Sequence, residues 1–289
     1  MGVNDFFEGT FEITTTVLKK GCAVGCTVCP QTPLVESYMP GINDTHLSFE
    51  DFVTVLNKVP KTYRIDFAGY AEPFLNKDCS KMMQYAVSAG YKICCYTTLV
   101  GASLEDVEIL ASLPFSKSYA CPLHIHVPDK HGVMPIKVTK KYRKVLKTLL
   151  DKKLPFVSCM TMDSKGEPHP DILDIVGNLK SWEPISRASN IDLEDQEEDS
   201  WKKENKRIGG RITCKPMPKL NHSILMPNGD VQLCCMDYGL KHTLGNLLEQ
   251  DHNSLFKSKE FKKVVSGMMV DSTIDNDILC RNCELAIRV

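Results

Sequence analysis

From residue 11 to residue 188 the chain alternates short β-branched segments with longer amphipathic ones, about six times over. "FEITTTVL" (11–18), "YRIDFAG" (63–69), "YKICCYTT" (91–98), "SYACPLHIHV" (118–127), "LPFVSCMTM" (154–162) and "EPISRA" (183–188) read as strands. Helical stretches lie between them, the last expected over "PDILDIVGNLK" (170–180). Ser48 followed by Asp51 is a capping signal, and Gly90 closes "CSKMMQYAVSAG" as a C-cap. In "KKYRKVLKTLLDKK" (140–153), Tyr142, Val145, Leu146 and Leu149 share one face. Such alternation implies parallel β/α architecture. The unusual residues all follow the C-terminal ends of strands, the face that carries the active site in β/α barrels. The expected fold is α/β, a partial (β/α)6 TIM-like barrel over residues 1–188. A charged linker or insertion (189–212) and a small cysteine-rich α+β domain (213–289) complete it, the latter with a hairpin turn at Asn228-Gly229.

Composition narrows the class. Of 289 residues, 43% are hydrophobic, which excludes a disordered chain, and the formal net charge of −1 gives no bulk attraction to nucleic acid or membrane. The lysines of 140–153 lie opposite an apolar stripe, as on a solvated helix face, so a cluster-stabilised nucleic-acid-binding module is the disfavoured alternative. No secretory signal or membrane-spanning run is visible, so a soluble, cytoplasmic protein is expected. In a reducing compartment, 13 cysteines point to metal or redox chemistry rather than disulfides. Cys79, Cys94, Cys95, Cys121 and Cys159 sit in apolar segments and read as small buried hydrophobes.

The loop "GCAVGCTVCPQT" (21–32) follows the first strand and holds Cys22, Cys26 and Cys29. Zinc generally needs a fourth ligand, and none is near in sequence. Three thiolates suit an iron–sulfur cube with one iron left open. Gly21 and Gly25 permit the tight turns such a loop requires.

This C-x3-C-x2-C loop, with "GYAEP" (69–73) after the second strand, resembles the radical S-adenosylmethionine (SAM) superfamily. The resemblance implies a [4Fe–4S] cluster on the three cysteines, with SAM on its open iron. Reductive cleavage of SAM then yields a 5′-deoxyadenosyl radical that abstracts hydrogen from substrate. Gly69, Tyr70, Ala71, Glu72 and Pro73 would hold the SAM amino group. Tyr70 and Ala71 stand where relatives carry small residues or glycine, and Val28 where they usually carry an aromatic ring. Thr97 and Thr98 are candidate lining residues. His124 and His126 share a strand face, and His126 is the candidate for the cofactor pocket.

The C-terminal region, with "NGDVQLCC", "GN" and "CRNC" (280–283), resembles the SPASM/Twitch appendage of these enzymes. It implies an auxiliary [4Fe–4S] cluster on Cys214, Cys234, Cys280 and Cys283, with Cys235 the alternative to Cys234. A four-cysteine zinc site is the competing reading. The expected reaction is a two-electron oxidation (alcohol dehydrogenation) of a small biosynthetic intermediate, with the auxiliary cluster as electron acceptor. Radical modification of a ribosomal peptide, by crosslinking or epimerisation, is the alternative. Arg187 and Asp237 are the candidate catalytic residues. A flavodoxin- or ferredoxin-type reductase is the implied partner.

Overall fold

The computed structural model describes residues 7–41, 45–115, 121–177, 179, 185–191, 207–270 and 277–289. Most of the expected charged linker and the start of the expected fourth strand lie outside them. The first five strands are β1 (Gly9–Ile13), β2 (Tyr63–Phe67), β3 (Lys92–Thr97), β4 (Leu123–His126) and β5 (Val157–Met160). They pair in parallel and in chain order. On its other side β1 pairs in parallel with β7 (His222–Leu225). Two antiparallel strands, β8 (Asp230–Gln232) and β9 (Thr243–Asn246), then extend the same sheet. The order is therefore β5-β4-β3-β2-β1-β7-β8-β9, an open, partial barrel. The cysteine-rich region adds its strands to that sheet and contributes a separate antiparallel pair, β6 (Ile212–Cys214) with β10 (Ala286–Arg288).

The helices form where their caps and apolar faces place them. The first, α1 (Gln31–Tyr38), follows the cysteine loop directly and carries no strong capping signal, which is why the sequence did not announce it. Ser48 caps α2 (Phe49–Leu56) by accepting the Asp51 N–H at 3.0 Å. After α3 (Cys79–Ser88), Gly90 turns with a φ of 91°. A complete capping box at Ser103 and Asp106 opens α4 (Leu104–Ser112). In α5 (Lys140–Asp151) the buried residues are Tyr142, Val145, Leu146 and Leu149, the stripe the periodicity defined. Each such side chain contributes on the order of 1.5–3 kcal/mol of burial. Cys79, Cys94, Cys95 and Cys121 are buried as expected, and Cys159 is half-buried.

Two expectations are corrected. The helix expected over 170–180 is a 3-10 turn followed by the short α6 (Leu173–Val176). The strand expected over 183–188 is not formed among the described residues 185–188. Arg187, Ala188 and Ser189 have φ of 52°, 54° and 67°, a left-handed run that cannot join a ladder. Glu284 holds it there, its Oε1 accepting the Arg187 N–H at 2.9 Å and its Oε2 the Ala188 N–H at 3.0 Å. The sixth parallel strand comes instead from β7. Two further helices, α7 (His252–Leu255) and α8 (Lys259–Met269), pack near the β9 end. No helix among the described residues is long and apolar enough to cross a membrane.

Candidate functional site

Side chains from β1, β3, β4 and β5 and from the loops beyond the strands converge on one cavity of about 350 Å³. Cys22, Cys26 and Cys29 all line it. Burial pushes the Cys22 thiol up to about 11 and that of Cys26 higher still. As thiolates they therefore require a cationic centre among them, which fits an iron–sulfur ligand set. Gly21 (φ 78°) is obligatory in this loop, because a Cβ there would meet Gln31 Oε1 at 2.6 Å. That oxygen accepts the Cys22 N–H at 2.6 Å. Gln31 Nε2 donates to Cys29 Sγ at 3.1 Å and to the Tyr70 carbonyl at 2.9 Å. Gln31 thus ties the cysteine loop to "GYAEP", a role that sequence reasoning missed.

Gly69 to Pro73 line the same cavity. Gly69 (φ 65°) passes so close to β1 that a Cβ would collide with Thr14 Oγ1. Glu72, expected to face an ammonium, has both oxygens engaged within the protein. Oε1 accepts from Thr97 Oγ1 at 2.6 Å and from the Phe74 N–H at 3.1 Å. Oε2 accepts from the Thr98 N–H at 2.5 Å and from Thr98 Oγ1 at 2.7 Å. Burial raises its pKa, and these four donors oppose the rise. Glu72, Thr97 and Thr98 are therefore a clamp between the loops after β2 and β3. Gly69 and Ala71 line the cavity beside this clamp.

Across the cavity, His126 packs at 6.2 Å from the ring of Tyr96, which His124 stacks on at 4.8 Å. His124 lies outside the lining, and its Nδ1 bonds Ser158 Oγ at 2.5 Å. Burial, then His124, brings the His126 pKa down to about 4, so its imidazole is neutral. Val28, Met134, Met160 and Met162 make the apolar wall.

Glu12 and His222, absent from the sequence-level candidates, form the cavity's charged pair. Glu12 Oε1 meets His222 Nε2 at 2.5 Å, and Glu12 Oε2 accepts the Gly69 N–H at 3.2 Å. Burial alone would neutralise both. Each holds the other charged, so Glu12 lies below its ordinary pKa and His222 above it. With Cys235 they bring three ligand-type atoms within 4.8 Å of one another. Arg187 also lines this wall and acts electrostatically on Tyr238, Cys235 and Glu12.

A second pocket is lined by Cys214, Cys234, Cys280 and Cys283, with methionine and leucine side chains around them. Of the two alternatives left open by the sequence, Cys234 lines this pocket with the other three cysteines and Cys235 lines the first cavity. His222 lies between the two: it lines the second pocket, and its Nε2 bonds Glu12, which lines the first.

Residues 214–284 match the SPASM family, an iron–sulfur cluster-binding domain. Among solved structures, BtrN in complex with AdoMet and 2-DOIA superposes with a TM-score of 0.59 at 17% identity, covering 96% of this chain and 92% of that one. SuiB of Streptococcus suis bound to the precursor peptide SuiA gives 0.57 at 13% identity, covering 97% and 70%. Native anSMEcpe with bound AdoMet gives 0.54 at 13%, covering 95% and 86%. Comparison with curated proteins finds no match. The chain has the radical SAM fold and carries a SPASM domain.

The SPASM domain explains where Asp237 goes. It is fully buried and is not among the residues lining the first cavity. Its Oδ1 accepts the Lys241 N–H at 2.9 Å and its Oδ2 the His242 N–H at 2.7 Å. His242 in turn accepts the Leu279 N–H at 2.9 Å, one residue from Cys280. Asp237 therefore organises the SPASM loop that presents the cysteines, whereas Arg187 reaches the cavity. Tyr70, large where relatives have a small residue, also belongs to this interface. Its ring packs against Tyr238 of the SPASM domain, and its hydroxyl donates to the Cys234 carbonyl at 2.8 Å.

Proposed function

We propose that the protein is a radical SAM enzyme that oxidises an alcohol carbon of a small substrate by two electrons. The observation that carries this reading is the placement of two cysteine sets on either side of one wall. Cys22, Cys26 and Cys29 open into the cavity, and the SPASM four line the pocket behind Cys235 and His222. In this reading the first set holds a [4Fe–4S] cluster with one iron free for SAM. The second set closes its own [4Fe–4S] cluster completely. When bound, these groups supply a 5′-deoxyadenosyl radical that removes a hydrogen atom from substrate and an acceptor for the remaining electron.

The chain's own residues do the rest. Backbone carbonyls at Gly69 and Ala71 accept from the SAM amino group, because the Glu72 carboxylate is held by Thr97 and Thr98. Val28 and the methionine wall exclude water from the reacting carbon. Neutral His126 binds a substrate hydroxyl without adding charge. Arg187 orients the oxygen end. Glu12, ionised and lining the cavity, accepts the hydroxyl proton as the carbon becomes a carbonyl, with His222 balancing its charge.

The BtrN complex with AdoMet and 2-DOIA, matched along nearly all of both chains, supports a small-molecule substrate. The SuiB–SuiA complex, with a similar TM-score, favours a second reading in which the substrate is a ribosomal peptide. A one-electron reductase of the flavodoxin or ferredoxin type is the partner either reaction requires. The test is anaerobic reconstitution with iron and sulfide, followed by SAM, dithionite and deuterated candidate substrates. The proposal expects 5′-deoxyadenosine carrying deuterium from a carbinol position. Label arriving only from peptides replaces it with the second reading, and no 5′-deoxyadenosine at all removes both.

A further inference from the structure

The two cysteine sets are connected by a pair of tyrosines that cross between them. Tyr238, in the SPASM domain, reaches back to the first set, its hydroxyl 3.4 Å from Cys29 Sγ. Tyr70, in the "GYAEP" loop, reaches the opposite way and donates to the Cys234 carbonyl at 2.8 Å. The two rings meet edge-on, with centroids 4.8 Å apart and planes at 61°. Both are buried, Tyr70 at 1% and Tyr238 at 5% exposure.

The three thiols differ in the kind of donor they meet. Cys29 has two side-chain donors within reach, Gln31 Nε2 and Tyr238 Oη. Cys22 meets main-chain donors, the Glu72 N–H at 3.3 Å and the Val24 N–H. A cluster-ligating thiolate has no proton, so in the Tyr238–Cys29 contact the phenol must be the donor. A hydrogen bond to a ligand sulfur favours the oxidation state with more negative charge, which is the reduced cluster. Gln31 lies two residues from Cys29, so its donor is local to the cysteine loop. Tyr238 lies 209 residues away, and its donor is supplied by the SPASM domain.

We propose that Tyr238, reaching out of the SPASM domain, raises the reduction potential of the first cluster through its hydrogen bond to Cys29, with Tyr70 packed against it. This rests on the cluster assignment above. It deepens that assignment by giving the second cysteine domain a residue that eases reduction of the first centre. Tyr238 acts through Cys29 and is a positioning residue.

The experiment is a redox titration of the reconstituted protein, followed by electron paramagnetic resonance. The first cluster's signal is assigned by its loss when Cys22, Cys26 and Cys29 are replaced together by Ala. In Tyr238→Phe, with iron content unchanged, the first cluster's potential should fall. At a fixed poise its reduced-to-oxidised ratio should drop by roughly tenfold, ~59 mV for one electron. Replacing Tyr238 by 3-fluorotyrosine keeps the ring in place and strengthens the donor, so the ratio should rise. This second variant decides the matter if Tyr238→Phe fails to load. An unchanged or oppositely shifted potential in the loaded variants overturns the inference and leaves the cluster assignment standing. Absence of any signal dependent on Cys22, Cys26 and Cys29 overturns both.

Discussion

Cys234 and Cys235 are neighbours in the chain and line different chambers: Cys234 faces the other SPASM cysteines, and Cys235 faces the cavity with Glu12. The chain turns just there, the Asp237 N–H closing on the Cys234 carbonyl at 3.1 Å, and in the proposed function the turn separates an iron ligand from a substrate-facing thiol. Cys234→Ser should reduce iron after reconstitution from about eight to about four per chain, whereas Cys235→Ser should leave it at about eight. Iron and sulfide assays on the two variants check this. Equal losses would show that the chambers are not distinct in solution.

Glu72 accepts four hydrogen bonds in a site that is 4% exposed. Glu72→Gln keeps the shape but turns an NH2 group toward donors that need an acceptor. Leaving buried donors of Thr98 unmatched should cost about 3 kcal/mol of stability. Urea denaturation of the apo-protein measures that directly. SAM affinity should fall as well, because the loop after β2 loses its anchor to the loop after β3. A stability change within about 0.5 kcal/mol, the usual range for surface substitutions, would show that the clamp is not as drawn.

Much of this was legible in the sequence because it is local. The cap at Ser48, the buried stripe of α5 and the turn at Gly229 (φ 88°) each depend on residues within one element. So does the cysteine loop. What escaped depends on partners far along the chain. Glu12 looked like an ordinary residue in a β-branched strand until His222, 210 residues later, arrived beside it. The left-handed run at Arg187 is imposed by Glu284, 97 residues away. The departure at Tyr70 from a small residue makes sense only with Tyr238 and Cys234 in view. One signal was available for Glu12: a lone carboxylate in a strand whose other residues suit a buried ladder needs a partner.

Gly69 turns with φ 65° beside Thr14, whose Cα and N would stand 2.9 Å from an added Cβ. Gly69→Ala therefore meets both backbone strain and a main-chain clash, and the former alone is on the order of 1–3 kcal/mol. Because β1 cannot move without breaking its pairing to β2 and β7, the loop must shift instead. The expected outcome is loss of SAM binding and cleavage with iron content retained. Calorimetric titration of SAM into the reconstituted variant tests it. Wild-type affinity would mean that this backbone does not contact the cofactor.

The Glu12–His222 pair gives stability a pH window. Burial pushes each toward neutrality, but the partner's charge outweighs it, lowering Glu12 from 4.5 and raising His222 from 6.5. A depressed carboxylate contributes stability that is present above 4.5 and is lost as pH falls through its folded value. A raised imidazolium contributes stability that is full below 6.5 and is lost as pH rises through its folded value. The two overlap most completely between those ordinary values. His222→Asn leaves a buried carboxylate without its counter-ion and should cost about 3 kcal/mol inside that window. The cost should shrink on the acid side, where Glu12 protonates in the variant, and on the alkaline side, where His222 is neutral in the wild type. Thermal unfolding of both apo-proteins across this range gives the difference curve. A flat curve would mean that the two groups meet as a neutral hydrogen bond, and a carboxylate able to accept the substrate proton would then have to be sought elsewhere in the cavity.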